Sequence, residues 1–393
     1  MLSTAPGRRG RVVAKVIDVE AIGSYFQSLA DPRHTKNRKR RLLDVAVLAL
    51  CGVLSGCGGP TAIHRWAVSR EAWLKTVLPL ANGLPSRDCI RRLLLALQPE
   101  AFQKCFQAWI ADALPGGPTG RKRLIAIDGK AGRGSRGAAN GLGALHVVSA
   151  WASEEGIALG QVAADDQSNE ITAIPVLLDQ IGLADAIVTI DAMGCQKDIC
   201  EQIAAGGGDF VSAVKANQPT LHAAIETFFH DHLERDLEDL RYRSHETRDE
   251  GHGRVDERSY FLARVPRDFA PAADWPEVRA IGYALRVTQY ADGREGVEVR
   301  HYICSRYLSG KRFAEAVRGH WGIEALHWTL DVTFREDDST TRERTLANNL
   351  SWLRRFAVTL INRHPVKDSL RGKLLRCGYS TDFLTEVLTL SRD

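Results

Sequence analysis

Three acidic side chains sit where a rigid scaffold would hold them. Asp128 closes the apolar run Leu124-Ile-Ala-Ile127, and Asp191 closes Ala186-Ile-Val-Thr-Ile190. Glu324 follows Gly319-His-Trp321-Gly-Ile323, a helical stretch much later in the chain. A carboxylate at the end of a strand is held firmly and points out of the sheet. Two such groups, with a third from a helix, make an all-oxygen donor set suited to hard cations such as Mg2+. A pair of these ions about 4 Å apart can assist both the attacking and the leaving oxygen of a displacement at phosphorus. The pattern therefore points to phosphoryl transfer. Taken singly each string is weak, because an Asp after a strand is more often a turn former. Glu324 shares a helical face with Trp321, His327, Trp328 and Asp331, at offsets −3, +3, +4 and +7. Two carboxylates, a His and two Trp are unusual for a core and for a solvent face alike. The plainer alternative is an aromatic face docked on a sheet with Glu324 at its rim.

The elements that must position these groups can be read from periodicity. From about Asp18 to Leu114 the pattern is helical, with Leu42–Leu54 an apolar, buried helix and Ser86 a plausible N-cap for a helix over 87–97. Pro115-Gly-Gly-Pro118-Thr-Gly120 marks a boundary. Beyond it come strands at 124–127, 145–151 and 157–163, a helix at 171–181, a strand at 186–190, a helix at 196–205, a strand at 210–214 and a helix at 220–233. Three strands, helix, strand, helix, strand is the order of an RNase H-like fold, a mixed sheet with helices on its faces. Residues 234–311 interrupt it. They open with a charged stretch to about 258, and then carry strands at 259–265, 278–289 and 296–305, the last two joined by a hairpin at Ala291-Asp-Gly-Arg294. Helical texture returns at 311–331 and 346–362.

The expected organisation is a disordered basic tail at 1–16, an N-terminal helical domain at 17–118, an α/β RNase H-like catalytic domain at 119–362 with a β-rich insertion at about 234–311, and a C-terminal helical tail at 363–393. A chain of 393 residues has room for more than one core. Its net charge of +4 does not by itself call for nucleic acid, but Arg33 to Arg41 packs six Lys and Arg into nine residues, among them Arg38, Lys39, Arg40 and Arg41. Such a run can neutralise phosphates, and reads equally as a solvated loop. The eight cysteines form no CxxC pair and no zinc pattern, so they read as small hydrophobes in a reducing, cytoplasmic setting. Nothing is long and apolar enough to span a bilayer, and no membrane partner or nucleotide cofactor is expected.

The strings Ile127-Asp128-Gly-Lys130, His146-Val-Val-Ser-Ala-Trp151, Ser168-Asn-Glu170-Ile-Thr-Ala-Ile-Pro175, Thr189-Ile-Asp191-Ala-Met-Gly-Cys195-Gln196, Val214-Lys-Ala-Asn217-Gln218-Pro219 and His320-Trp-Gly-Ile-Glu324 jointly resemble the DDE transposases of bacterial insertion sequences, in the group that includes the H-repeat-associated proteins. Phe26-Gln-Ser-Leu29-Ala-Asp31-Pro32-Arg33 and Gly83-Leu-Pro85-Ser86-Arg-Asp88 resemble that family's associated N-terminal domain. The likeness covers nearly the whole chain.

The resemblance implies a catalytic, metal-holding triad of Asp128, Asp191 and Glu324, with two Mg2+ ions for which Mn2+ substitutes. It implies a cut-and-paste reaction on double-stranded DNA. Water attacks at the ends of the element, which carry terminal inverted repeats, and the freed 3′-OH then joins target DNA. A dimer on DNA is expected, since two ends must meet, and a nucleoid-associated location follows. Two departures stand out: Ala325 follows Glu324 where related chains often carry a polar residue, and Asp331 occupies the place of a DNA-contacting lysine, so Asp331 or Glu336 is an alternative third ligand, with Asp331 the reserve. Lys130 and Arg133 are candidates to hold a phosphate, and Asn217, His320, Trp321 and Trp328 to contact DNA, the tryptophans by stacking. Each also has a structural reading: solvated loop, strand end or core. Glu170 either caps its helix or belongs to the family-like string. Arg354 and Arg355 line a DNA path or a solvated helix face. Two other readings stay open, a metal-dependent nuclease that cuts without joining and a DNA-binding relic without catalysis.

Overall fold

The computed structural model describes residues 19–113, 120–137, 143–164, 170–251 and 253–389. The expected basic tail at 1–16 lies outside them. In chain order the helices and strands are α1 (Val19–Tyr25), α2 (Leu42–Leu54), α3 (Pro60–Ser69), α4 (Glu71–Val77), α5 (Arg87–Ala96), α6 (Pro99–Ala113), β1 (Arg123–Gly132), β2 (Leu145–Ala152), β3 (Ile157–Ala164), α7 (Glu170–Leu178), β4 (Ala186–Ile190), α8 (Lys197–Ala205), β5 (Asp209–Val214), α9 (Pro219–Leu233), β6 (Tyr242–Gly251), β7 (Arg254–Arg264), β8 (Ala280–Tyr290), β9 (Glu295–Cys304), α10 (Gly310–Val332), α11 (Arg344–Arg363), α12 (Leu370–Tyr379) and α13 (Thr381–Thr389). They divide into two compact units, one of residues 1–93 with 360–393 and one of residues 94–359.

The larger unit is built on one nine-stranded sheet in the order β3-β2-β1-β4-β5-β9-β8-β7-β6. β1 pairs antiparallel with β2, and β2 with β3, while β1, β4 and β5 run parallel. This is the RNase H-like fold. β4 is buried along its whole length, as expected of a central strand covered on both faces. Alternation along β1 sends Ile125 and Ile127 into one core with Ile174, Leu177, Ile199, Ile203, Ile225 and Phe229 from α7, α8 and α9. It sends Leu124 into a second core with Ile187, Val211, Tyr302, Phe313 and Val317, on the α10 side.

β1 extends past the expected end at Ile127. Its ladder with β2 runs on to the pair Gly132 and Leu145, whereas its ladder with β4 stops at Ile127 and Ile190. Asp128 therefore lies inside a strand, at the residue where the neighbour on one side gives out. That opening beyond the carboxyl ends of parallel strands is where α/β sheets form their ligand crevices.

The β-rich segment does not form a separate sheet. β9 pairs antiparallel with β5, and β8, β7 and β6 follow outward. The hairpin at 291–294 forms as read, with Gly293 at φ 85° and the Tyr290 N–H donating to the Arg294 carbonyl at 2.9 Å. β6 is the strand that sequence reading took for a charged connector. It is an edge strand, exposed along most of its length, so it carries charges instead of an apolar stripe. Such charges keep an unpaired edge from recruiting other chains. Gly282 of β8 is where the tip of the Phe313 ring of α10 meets the sheet: a methyl group there would run into it.

α11 is buried from Leu346 to Ile361, so Arg354 and Arg355 line neither a solvated face nor an open path. Arg355 is 1% and Arg354 is 3% exposed. Arg355 donates to Ser149 Oγ at 2.9 Å and pairs with Glu336 at 3.2 Å.

In the smaller unit α2 is buried from Leu43 to Leu54. Ser86 caps α5 as expected, accepting from the Cys89 N–H at 3.2 Å. Six of the eight thiols are buried and all are free.

Candidate active site

Asp128, Asp191 and Glu324 line one cavity of about 210 Å3 at the crevice. Asp128 comes from β1, Asp191 from the first position after β4, and Glu324 from the outer side of α10, which rests on β1. The loops behind them are pinned. The Asp191 carboxylate accepts from the Gly194 N–H at 3.1 Å, Asn217 donates to the Ala192 carbonyl at 2.5 Å, and Gln218 donates to the Cys195 carbonyl at 2.9 Å. The same cavity is also lined by the cations Lys215 and Arg300 and by His222 and His301; burial, then His222, lower the His301 imidazole to about 4.

The charges are unbalanced on the acidic side. Burial, then the neighbouring Asp191, then Glu170 and Glu324 push Asp128 up to about 7, against the opposing hydrogen bond from the Gly129 N–H. His327 Nδ1 stands 3.5 Å from Asp128, but burial first, and then Arg355 and Lys130, lower that imidazole to about 3. It is a neutral neighbour, not a counter-charge. Among the described residues no Lys or Arg pairs with Asp128, Asp191 or Glu324.

The other candidate residues are spread over several settings. Lys130 is buried, and its ammonium stands 2.7 Å from Asp331, 3.1 Å from Asp337 and 3.7 Å from Glu336. Asp331 is thus held in an ion cluster of its own, away from the cavity wall that carries Glu324. Arg133 is 82% exposed and 3.6 Å from Asp337. His320 is half-buried and lines the same cavity, its Nδ1 3.1 Å from Thr189 Oγ1. Trp321 is half-buried, with the guanidinium groups of Arg286, Arg258 and Arg300 5.5, 5.6 and 5.8 Å from its ring centre. Trp328 stands 63% exposed one turn beyond Glu324. In the smaller unit Arg38 donates to the Arg33 and Asp31 carbonyls at 2.7 Å each. Arg40 donates to the Gly83 carbonyl at 3.1 Å, Asn82 donates to the Lys39 carbonyl, and Arg41 is 3.8 Å from Asp44.

Two features escaped sequence reading. The Glu170 carboxyl group packs against Gly129, and His301 Nδ1 stands 3.2 Å from His222 Nε2, both imidazoles lining the cavity. Their partners lie 41 and 79 positions away, so spacing carries no trace of either contact.

Among the described residues no three His, Cys, Asp or Glu side chains already stand at the spacing of a formed metal centre. The donor set nonetheless fits a divalent cation. It is oxygen only, like-charged and unpaired with Lys or Arg, and Asp128 is unusually reluctant to ionise in such company.

The sequence as a whole decides the family. Residues 119–360 match the transposase DDE domain, and residues 23–110 match the DDE_Tnp_1-associated domain. The chain belongs to the DDE transposase family. It is 34% identical over 379 residues to "Putative transposase YncI" of Escherichia coli O157:H7, covering 95% of each chain. It is 33% identical over 378 residues to "H repeat-associated putative transposase YhhI" of Escherichia coli strain K12, covering 95% of this chain and 98% of that one. A piggyBac transposase synaptic complex with hairpin DNA aligns over 95% of this chain and 82% of that chain, at 10% identity and a TM-score of 0.42. The matched DDE region begins just before β1 and ends near the close of α11, so all three acids of this transposase-family chain fall within it.

Proposed function

We propose that this chain is a cut-and-paste DNA transposase in which Asp128, Asp191 and Glu324 hold two divalent cations, Mg2+ or Mn2+. The observation that carries the reading is that all three line one cavity, from β1, the end of β4 and α10. Bound divalent cations supply Lewis-acid neutralisation of charge at the phosphoryl group and its attacking and leaving oxygens. The chain's own residues do the rest. The strand-borne Asp128 and Asp191 fix the donors, and the Asn217 and Gln218 bonds hold the loops after β4 and β5. Lys215 and Arg300, which line the same cavity, face the phosphodiester backbone. First water and then the 3′-OH act as nucleophile at the same place, so little protein acid–base chemistry is needed.

The arginine run at 38–41, Arg133 and the exposed Trp328 are assigned to DNA contact. Lys130, Asn217, His320 and Trp321 are assigned to holding the site in shape around the bound DNA. The helical N-terminal region serves recognition of the inverted repeats, and two copies act on paired ends.

A strand-transfer assay with pre-cleaved element ends tests the reading. Joining to target DNA that requires Mg2+ or Mn2+, and is lost in Asp128→Asn, is the expected result. Hydrolysis without joining would reassign the chain as a nuclease, and equal behaviour of parent and Asp128→Asn would mark a relic without catalysis.

A further inference from the structure

Glu170 is the first residue of α7, which lies on the sheet face opposite α10. Its carboxyl group sits directly over Gly129, the residue after Asp128. A methyl group built on Gly129 would meet three atoms first, and all three belong to the Glu170 carboxyl. Gly129 has an ordinary backbone conformation, outside the positive-φ glycines. What a side chain would spoil there is the space taken by Glu170, not the strand.

Among the described residues the ion-pair contact of Glu170 is with His146 of β2, whose half-exposed Nδ1 stands 3.8 Å from Oε1. Burial and then Asp191 push the Glu170 carboxyl above the usual carboxylate range, with His146 opposing. A helix-start acid whose task was only to complement the α7 dipole would sit in solvent. This one is side-chain buried to 18% exposure, in the field of Asp128 and Asp191.

From this arrangement we infer that Glu170 is a fourth metal-holding carboxylate, reaching the ions across Gly129 from the sheet face opposite Glu324. Two hard cations at six ligands each need more oxygens than three carboxylates present. A donor from each face would clamp the ion pair at the crevice between Asp128 and Asp191. The inference rests on the divalent-ion reading of the site.

The test is Mn2+ binding by the full-length protein without DNA, read from the loss of the free-ion paramagnetic resonance signal. Glu170→Gln is expected to weaken binding of at least one Mn2+ about tenfold or more, the scale seen when groups supporting a metal site are lost. Gly129→Ala, which displaces the same carboxyl group, is expected to do likewise, and to add little in the Glu170→Gln background. Thermal unfolding without metal reports on folding separately. Parental Mn2+ affinity and stoichiometry in both single variants would overturn the inference, as would a loss of metal-free stability alone. Asp128→Asn serves as the control. If it abolishes Mn2+ binding while Glu170→Gln does not, the fourth ligand fails and the triad stands. If Asp128→Asn also binds normally, the divalent-ion reading fails, and the Glu170 assignment goes with it.

Discussion

Asp128 stands at the first residue where β1 keeps β2 on one side but no longer has β4 on the other. Its carboxylate is therefore rigid yet open to the crevice, and Asp191 and Glu324 add negative charge beside it. Replacing it with Asn keeps the shape and removes a charged donor. Loss of several kcal/mol of charge stabilisation corresponds to a fall of about 10³-fold in DNA cleavage, measurable in single-turnover assays, and the same is expected for Glu324→Gln. Asp331→Asn is expected to leave far more cleavage activity than Glu324→Gln, because its carboxylate is committed to Lys130 at 2.7 Å. Glu336 makes a different kind of prediction. Burial alone would raise its pKa, but Arg355, Arg354 and Lys130 more than reverse this and hold it at about 2, below the ordinary 4.5. Asp331 and Asp337 also face Lys130 in this cluster. A carboxylate with a depressed folded pKa stabilises the protein above its unfolded value, and that contribution drains away as pH falls toward the folded value. Glu336→Gln is expected to cost about 3–5 kcal/mol at neutral pH, the usual cost of breaking a buried ion pair. Urea unfolding at a series of pH values should show the gap between parent and variant closing between pH 5 and 2.

At the scale of elements, α10 is, under the proposed function, the part that must not move, since Glu324 rides on it while Asp128 lies in β1 and Asp191 directly follows β4. Its position is set from both ends of the insertion. Phe313 lies on Gly282 of β8, and Trp321 sits among Arg258, Arg286 and Arg300 of β7, β8 and β9. Asp256 gathers two of these arginines, accepting from Arg258 and Arg286 at 3.0 Å each, and takes Thr288 Oγ1 at 2.6 Å. Trp321→Ala is expected to cost about 2 kcal/mol, less than a fully buried Trp, and to lower cleavage by more than the stability loss explains. Denaturant unfolding and cleavage rates measured on one preparation would show this; full cleavage activity would mean that α10 is positioned by Phe313 alone.

Much of this scaffold was legible beforehand. The core strands, the helices between them, the hairpin at 291–294 and α10 follow from apolar periodicity and turn residues. β6 was not, because an edge strand buries too little to alternate. The ion cluster of Lys130, Glu336 and Arg355 was not, because charged residues read as surface until their partners, far away in sequence, close around them. The aromatic face of α10 was half legible: Trp321 is covered by the insertion, while Trp328, one turn beyond Glu324, is exposed.

At the scale of the whole molecule, the two units have different tasks under the proposed function, end recognition in one and strand chemistry in the other. Phosphate contacts make DNA affinity fall with salt by about 0.9 log units per contact per log unit of salt. Arg133→Ala is therefore expected to flatten the salt dependence of binding to the element's end by about that amount, read by fluorescence anisotropy; an unchanged slope would place Arg133 off the DNA. Light scattering of the protein mixed with end DNA is expected to give a complex of two chains and two ends. The most direct test of the central claim is a crystal structure of the Mn2+-soaked protein with anomalous data collected at the manganese edge. The account predicts anomalous peaks between the carboxylates of Asp128, Asp191 and Glu324. Peaks only at the Lys130, Asp331 and Glu336 cluster, or none within reach of Asp128, would contradict it.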